Sequence, residues 1–316
     1  MDQLQLDTRL RIGIQTIHRR TEPATAPWLP NIDELVELVE LVDRSGYDSL
    51  WVGDHISFAV PVLDPLLQLA QAAMVSRRLT LGTSVYLLPL RHPAPVAKQV
   101  ATLDHLTEGR LIFGVGVGGE FAKEYEVCGV PIGERGARLS EGIGLLHQFW
   151  SGEPVSHAGR FYGPFSDVPM RPPARQHGGP PIWCGGRSDG ALRRTGRLAD
   201  GWLGSAMSPA ESGAARERIE KAAAEVGRLI DPEHFGLSVP YAAREPDQRS
   251  IELLRSRRPD ANLADMLPVG PGQLRALLNS YIDAGLSKFV VRSVGTDQDR
   301  DTALQELADV LLPMQT

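Results

Sequence analysis

The stretch from Leu79 to Glu120 constrains the fold of this chain more than any other. An apolar run over 79–87 is followed by a helical pattern that begins at Pro93, and a second apolar run over 111–117 ends in glycines. Proline in the first turn, with apolar side chains three and four residues apart, is typical of a helix with one buried face. Continuous apolar runs flanking such a helix predict parallel strands covered on both faces. The stretch therefore predicts a strand, a crossover helix and a second parallel strand.

The same alternation continues along the chain and predicts eight strands and eight helices. The predicted strands span 10–17, 49–52, 79–87, 111–117, 181–184, 201–204, 235–241 and 288–293. The predicted helices span about 31–46, 64–76, 93–109, 133–151, 188–197, 208–230, 272–284 and 301–312. Two polar segments interrupt the pattern and are expected to be insertions, at about 152–180 after the fourth helix and about 242–270 after the seventh strand. Eight such repeats predict an α/β fold, a (β/α)8 TIM barrel, as a single domain over 1–316.

Composition and charge narrow the class of partner. The net charge of −6 has no long run of either sign, so we expect neither nucleic acid nor a membrane surface as a partner. Cys128 and Cys184 are far apart and lack CxxC spacing, and no HxH follows the first strand, so we expect no metal site. No signal peptide and no apolar run of membrane-spanning length is visible, which predicts a cytoplasmic protein.

An Asp-His pair directly follows the second predicted strand. In a (β/α)8 barrel the loops at the carboxyl ends of the strands hold the chemistry, and this position puts Asp54 and His55 there. A histidine at such a place exchanges protons near neutral pH, and an adjacent aspartate orients a neighbour. A helix-capping aspartate beside a surface histidine would leave the same sequence, and position alone does not separate the two.

Glycines follow the fifth and sixth predicted strands and indicate an anion site. Gly185, Gly186 and Arg187 lie between a strand and a helix, where backbone N–H groups and the helix N-terminus favour a phosphate. Gly204 and Ser205 end the next strand, and adjacent loops meet on the barrel rim. A tight turn with a serine cap requires no ligand and explains the first of these motifs equally well.

The glycines over 114–119 match neither a dinucleotide fingerprint nor a P-loop, and they indicate a strand end that backbone or a flat group approaches. Glu120 beside them is either a site carboxylate or a helix cap. The insertion at 157–177 carries three arginines and two histidines against one aspartate, which suggests contact with an anionic tail or else a solvated loop.

Several stretches together resemble the bacterial luciferase-like monooxygenase superfamily, in particular its branch dependent on the deazaflavin coenzyme F420. The resemblance covers nearly the whole chain and is carried by DSLWVGDH (48–55), 81–120, GVPIGERGARLSEGIGLLHQFWSG (129–152), GRFYGPF (159–165), PPIWCGGRSDGALRRTGRLADGWLG (180–204) and GLSKFVV (285–291). The blocks 81–120 and 180–204 are specific, whereas the Asp-His pair alone is not.

The resemblance implies a (β/α)8 barrel and a role for each candidate residue. Asp54 and His55 would lie beside the deazaflavin ring, with His55 as the proton partner of hydride transfer, and Glu120 would be a site carboxylate. A non-proline cis peptide, here Ser84-Val85, would press against the ring. The cofactor phosphate would be held by Gly185, Gly186, Arg187, Gly204 and Ser205, and the basic insertion would hold the coenzyme's oligoglutamate tail.

This resemblance implies an oxidoreductase that moves a hydride between the deazaflavin C5 and a small organic substrate. We expect a homodimer. One alternative keeps the fold and uses reduced FMN and oxygen, as a two-component monooxygenase. Another is a deazaflavin-binding relative without turnover. The substrate is not indicated, because substrate pockets in such barrels are built by the variable loops.

Overall fold

A computed structural model describes residues 10–16, 32–58, 62–119, 121–246, 248–294 and 300–316. Glu120 and the predicted start of the first helix at residue 31 lie outside this set, so those predictions stay untested. In the part of the chain that the structure describes, no helix is both long and apolar enough to cross a membrane.

Parallel strands close into the predicted barrel, with helices between them. The strands are β1 (Arg11–Thr16), β2 (Ser49–Val52), β3 (Thr80–Thr83), β4 (Leu111–Val115), β5 (Val155–His157), β6 (Phe165–Val168), β7 (Ile182–Gly185), β8 (Gly201–Ser205), β9 (Phe235–Tyr241) and β10 (Lys288–Ser293). The barrel order is β1-β10-β9-β8-β7-β4-β3-β2, and β1 pairs with both β10 and β2. The strands β5 and β6 form a separate antiparallel hairpin. The (β/α)8 fold class predicted above is therefore confirmed.

The helices surround the barrel. They are α1 (Ile32–Arg44), α2 (Pro65–Val75), α3 (Pro93–Leu106), α4 (Lys123–Val127), α5 (Arg135–Trp150), α6 (Asp189–Leu198), α7 (Pro209–Ala224), α8 (Gln248–Arg257), α9 (Gly270–Asp283) and α10 (Arg300–Leu311). Proline stands in the first turn of α2, α3, α7 and α9, where its missing N–H has no intrahelical partner to lose. The α7 helix also begins with a reciprocal capping box between Ser208 and Glu211.

The barrel interior is filled by a small cluster of large side chains. The Trp51 and Trp183 rings lie 5.9 Å apart and belong to this cluster. A Cβ atom at Gly13 or Gly82 would collide with the Trp51 ring, because the indole occupies the space above both strands. Residues that alternate with this inward set, such as Leu50 and Val52 in β2, face the helices in the larger core. The interior is thus packed, and any ligand site lies at an end of the barrel.

The first insertion folds back along the outer helices. Glu141 of α5 anchors the β5–β6 hairpin, because its carboxylate accepts hydrogen bonds from the backbone N–H groups of 160–162 and pairs with His157 at 3.1 Å. The buried Asp104 of α3 holds the returning chain by accepting two hydrogen bonds from Gln176, at 2.7 and 2.8 Å.

The ends of two predicted elements are wrong, and some elements were not predicted. The third strand was predicted over 79–87, but β3 ends at Thr83. The sixth predicted helix, which corresponds to α7, ends at Ala224 rather than at residue 230, since Gly227 takes a φ of 72° and reverses the chain. The helices α4 and α8 and the hairpin were not predicted; each is too short or too polar for a clear periodic pattern.

Candidate active site

The candidate site lies at the carboxyl ends of the parallel strands. The segment that follows β2 carries Asp54 and His55, and the segment that follows β3 carries Ser84 and Val85. Since β2 is the neighbour of β3 in the barrel, the structure brings these predicted residues to one part of the rim.

The peptide bond between Ser84 and Val85 is cis, as the resemblance implies. Backbone hydrogen bonds hold both sides of it. Ser84 N–H donates to the Val52 carbonyl at 2.7 Å, and Tyr86 N–H donates to the Gly114 carbonyl at 2.8 Å. The amide of Gln15 lies 3.4 Å from the Ser84 carbonyl oxygen. The segment is thus fixed to the strands on both sides.

The Val85 side chain forms the floor of the site. It is partly exposed and packs against the barrel interior cluster. Its methyl groups also lie over the ends of β4 and β7: a Cβ atom at Gly116 would overlap Val85, and one at Gly185 would lie 3.1 Å from it. Glycine is needed at Gly116 for this close approach. The Val85 side chain, which follows β3, thus covers the ends of the two neighbouring strands with an apolar group.

The His55 ring, in the segment after β2, is held from two directions. Its Nδ1 atom lies 3.1 Å from Oε2 of Glu124, and its ring stacks on Phe58 with centroids 3.8 Å apart. Phe121 packs edge-on against Phe58 at 6.0 Å. About 14% of the His55 side chain is exposed, so the imidazole is accessible from the site while its orientation is constrained.

Sequence reasoning missed Glu124, whose carboxylate is buried. It accepts hydrogen bonds from the backbone N–H groups of Ile56 and Ser57 as well as contacting His55. Its helix, α4, has five residues, too few for a periodic signal, and the contact joins residues 69 positions apart. The aromatic residue next to Glu124, Tyr125, is a local sign that this short helix has a buried face.

Asp54 is also buried, and its carboxylate contacts residues of the segment after β3. Its two carboxylate oxygens form a bidentate pair with Arg91, at 2.6 and 2.9 Å, and Oδ2 accepts a further hydrogen bond from Leu87 N–H at 2.8 Å. Burial is the largest single influence and by itself would lower the pKa of the Arg91 guanidinium, but the hydrogen bonds with Asp54 and the negative charge around it together raise that pKa. Asp54 therefore ties the chain that follows Val85 to the end of β2.

The predicted anion turn lies at the start of α6. Gly186 takes a φ of 111°, which disfavours other residues, and Ser188 caps the helix by accepting a hydrogen bond from Ala191 N–H. Arg187 is exposed on this turn. Backbone N–H groups and the positive end of a ten-residue helix thus meet here, which is the physical basis of anion binding.

The two predicted residues at the end of β8, Gly204 and Ser205, differ in their exposure. Because β7 pairs with β8, Ser205 lies next to the anion turn and is exposed. Gly204 is buried instead, and a Cβ atom there would lie 2.5 Å from the Trp202 ring. Glycine at 204 thus accommodates the indole, so any ligand contact there comes from the backbone.

The second insertion reaches the same part of the rim. Arg258, just beyond α8, is buried; it donates to the Ala206 carbonyl and pairs with Glu211 at 2.8 Å. The pKa of Asp260 is lowered, first by its hydrogen bond with Arg258 and also by the charge of Arg187. The insertion therefore lies within electrostatic reach of the anion turn.

The first insertion is differently placed. Arg171 and Arg175 lie beside α3 and the turn that precedes β4: Lys98 donates to the Arg171 carbonyl, and a Cβ atom at Gly109 would lie 3.9 Å from Arg175. That turn is at the opposite end of β4 from the rim. These two arginines consequently do not line the candidate site, and contact between the rest of the insertion and an anionic tail stays a prediction.

Comparisons with known proteins agree with the barrel fold. Residues 10–285 match the family model of luciferase-like monooxygenases. An F420-dependent glucose-6-phosphate dehydrogenase of Nakamurella multipartita is 29% identical, over 86% of this chain and 89% of that protein. The 4-hydroxyprotoasukamycin monooxygenase of Streptomyces nodosus subsp. asukaensis is 32% identical, over 69% of this chain and 60% of that protein.

The fold is shared with a solved F420-dependent secondary alcohol dehydrogenase in complex with an F420-acetone adduct. The TM-score is 0.79 at 17% identity, and the match covers 97% of this chain and 99% of that one. The relatives thus include both F420-dependent dehydrogenases and monooxygenases. With the family match extending across most of its length, this chain belongs to the luciferase-like monooxygenase family.

Proposed function

We propose that this protein is an F420-dependent oxidoreductase that transfers a hydride between the deazaflavin C5 and a small organic substrate. The observation that carries the proposal is the extent of the relatives' matches. The F420-dependent dehydrogenase matches over most of both chains, whereas the monooxygenase match spans only 60% of that relative.

The residues at the rim fit a flat ring that carries a phosphate. Val85, lying over Gly116 and Gly185, offers a flat apolar surface that a side chain at Gly116 would disrupt. The N–H groups of the α6 turn, with Arg187 and Ser205, offer donors and positive charge for a phosphate. We therefore propose that the Ser84-Val85 segment supports the ring, and that Gly185, Gly186, Arg187, Ser205 and the Gly204 backbone hold the phosphate.

When bound, the deazaflavin would supply the hydride chemistry at C5, and the protein would supply position and a proton. His55 is the general acid or base, because its imidazole is accessible and its ring is held by Glu124 and Phe58. Asp54 acts indirectly. Through Leu87 N–H and Arg91 it keeps the chain after the cis bond in place. The proposed role of Glu120 as a site carboxylate rests on the resemblance alone.

A second candidate is a monooxygenase that uses reduced FMN. The 32% identity with a monooxygenase favours it, and the same turn would hold the FMN phosphate. The two functions separate in an assay with oxidised or reduced F420 and a panel of alcohols, aldehydes, ketones and enones, with and without oxygen. We expect a substrate-dependent change in deazaflavin absorbance that needs no oxygen. Oxygen consumption with reduced FMN, and no change with F420, would support the monooxygenase instead.

Gly116→Ala is expected to weaken cofactor binding, because the new methyl group overlaps Val85 and must displace it from the floor of the site. Such overpacking costs about 1–3 kcal/mol. Where the bound cofactor must restore the position of Val85, that cost becomes a rise of about 5- to 150-fold in the cofactor Kd. Fluorescence titration with F420 measures the change.

Gly144→Ala is the matched control for that variant. This glycine lies within α5, and no atom lies within 4 Å of the position that a Cβ would take. We expect unchanged cofactor affinity and a gain in stability of about 0.5–1 kcal/mol. Equal affinities for the two variants would show that Val85 does not support the ring.

A further inference from the structure

The carboxylate of Glu124 contacts three consecutive residues of the loop after β2. Its Oε1 atom accepts hydrogen bonds from the backbone N–H groups of Ile56 and Ser57, at 2.8 and 3.3 Å. Its Oε2 atom lies 3.1 Å from Nδ1 of His55. Since only 1% of the Glu124 side chain is exposed, protein donors rather than bulk water satisfy this carboxylate.

Glu124 is itself held firmly. The neighbouring Tyr125 is buried against Leu87 and Leu90, and its hydroxyl donates to the Val117 carbonyl. Burial raises the pKa of Tyr125 to about 12, so this hydroxyl remains a donor at neutral pH. The short α4 helix is thus fixed to the segment after β4, and it presents its glutamate to the loop after β2 from a rigid position.

The contact between Oε2 of Glu124 and Nδ1 of His55 decides which imidazole nitrogen carries the proton. A carboxylate accepts hydrogen bonds and has none to donate, so Nδ1 of His55 must be the donor in this contact. In a neutral imidazole the remaining nitrogen, Nε2, is then the acceptor. Stacking on Phe58 at an interplanar angle of 10° opposes a flip of the ring that would put Cδ2 in the place of Nδ1.

We propose that Glu124 is a positioning residue that keeps a proton on Nδ1 of His55 and so makes Nε2 the atom that exchanges protons with the substrate. The importance of Glu124 for turnover rests on the proposed function. The tautomer of His55 does not depend on that function, and it can be measured without cofactor or substrate.

The substitution Glu124→Gln tests the tautomer sharply. The glutamine carbonyl oxygen can still accept from Ile56 and Ser57, while its NH₂ group takes the place of Oε2 opposite Nδ1. An amide N–H donates, so Nδ1 becomes the acceptor and the proton moves to Nε2. We expect ¹⁵N NMR of histidine-labelled protein to show protonated Nδ1 in the wild type and protonated Nε2 in Glu124→Gln.

Assignment and control use other residues of the chain. The chain has eight histidines, and the spectrum of His55→Gln identifies the His55 signals by difference. Glu126→Gln is the matched control, since Glu126 is on the same helix but exposed, and we expect it to leave the His55 signals unchanged. A wild-type spectrum with the proton of neutral His55 on Nε2 would overturn the proposal, even if Glu124→Gln fails to fold.

Turnover provides the second readout. We expect Glu124→Gln to lower kcat by about 10²–10⁴-fold, as loss of the correct tautomer does in other acid–base enzymes, with cofactor Kd unchanged. In a His55→Ala background the same substitution should have no further effect, because Glu124 acts through His55. A further drop of similar size there would assign Glu124 a separate role. Absence of turnover in the wild type would count against the proposed function and leave the NMR result intact.

Discussion

His55→Ala is expected to reduce hydride transfer by about 10²–10⁴-fold while leaving cofactor affinity within about twofold of the wild type. The imidazole is a partly exposed titratable group that Glu124 and Phe58 orient at the rim. The proposed phosphate contacts lie at β7 and β8, so removal of the imidazole leaves them in place. Pre-steady-state absorbance at the deazaflavin band measures the transfer step, and a fluorescence titration measures affinity.

This variant is informative because the loss of rate and the loss of cofactor affinity are measured separately. A loss of affinity equal to the loss of rate would mean that His55 serves binding and not proton transfer. Retained rate and retained affinity would remove the residue from the chemistry altogether. His92→Ala is a suitable control because His92 is an exposed helix-capping residue at the start of α3, and we expect it to leave both quantities unchanged.

Asp54→Ala is expected to have the largest effect on stability, about 3–5 kcal/mol of unfolding free energy. The Asp54 side chain is fully buried, and its removal leaves the Arg91 guanidinium, only 19% exposed, without its carboxylate. The Leu87 N–H loses its acceptor at the same time. For a chain of this length the loss corresponds to a fall in Tm of about 4–8 °C, measured by calorimetry.

Two further variants identify the cause. Glu225→Ala removes the partner of Arg197 in a pair whose side chains are 47% and 51% exposed, and we expect a change below about 1 kcal/mol. The double variant Asp54→Ala/Arg91→Met removes the unpaired charge and should recover part of the loss. A loss for Asp54→Ala no larger than that for Glu225→Ala would contradict the proposed role of the buried pair.

The barrel could be predicted because each of its strands and its long helices leaves a local pattern. The apolar runs of β3 and β4 and the amphipathic pattern of α3 are visible in any short window of residues. The position of Asp54 and His55 at the rim follows from the fold alone, since the residues after a parallel strand lie there. The cis peptide at Ser84-Val85 followed from the resemblance and not from any propensity of those two residues.

The partners of the site residues could not be predicted, because they are distant in sequence. Arg91 is 37 positions from Asp54, and Glu124 is 69 positions from His55. A buried glutamate and a solvated one look alike in a sequence, and only packing separates them. In the basic insertion, the charge pattern suggested contact with a ligand. The path of the insertion along the outer helices places Arg171 and Arg175 away from the rim.

We propose that the rim holds a deazaflavin in preference to a flavin. The most direct measurement is a competition titration of the purified protein with F420 and FMN, in both oxidation states and without oxygen, followed by fluorescence. We expect F420 to bind at least about tenfold more tightly than FMN, a difference of about 1.4 kcal/mol in binding free energy. We also expect Gly116→Ala to weaken the binding of F420. Tight binding of FMN with no measurable retention of F420 would contradict the account.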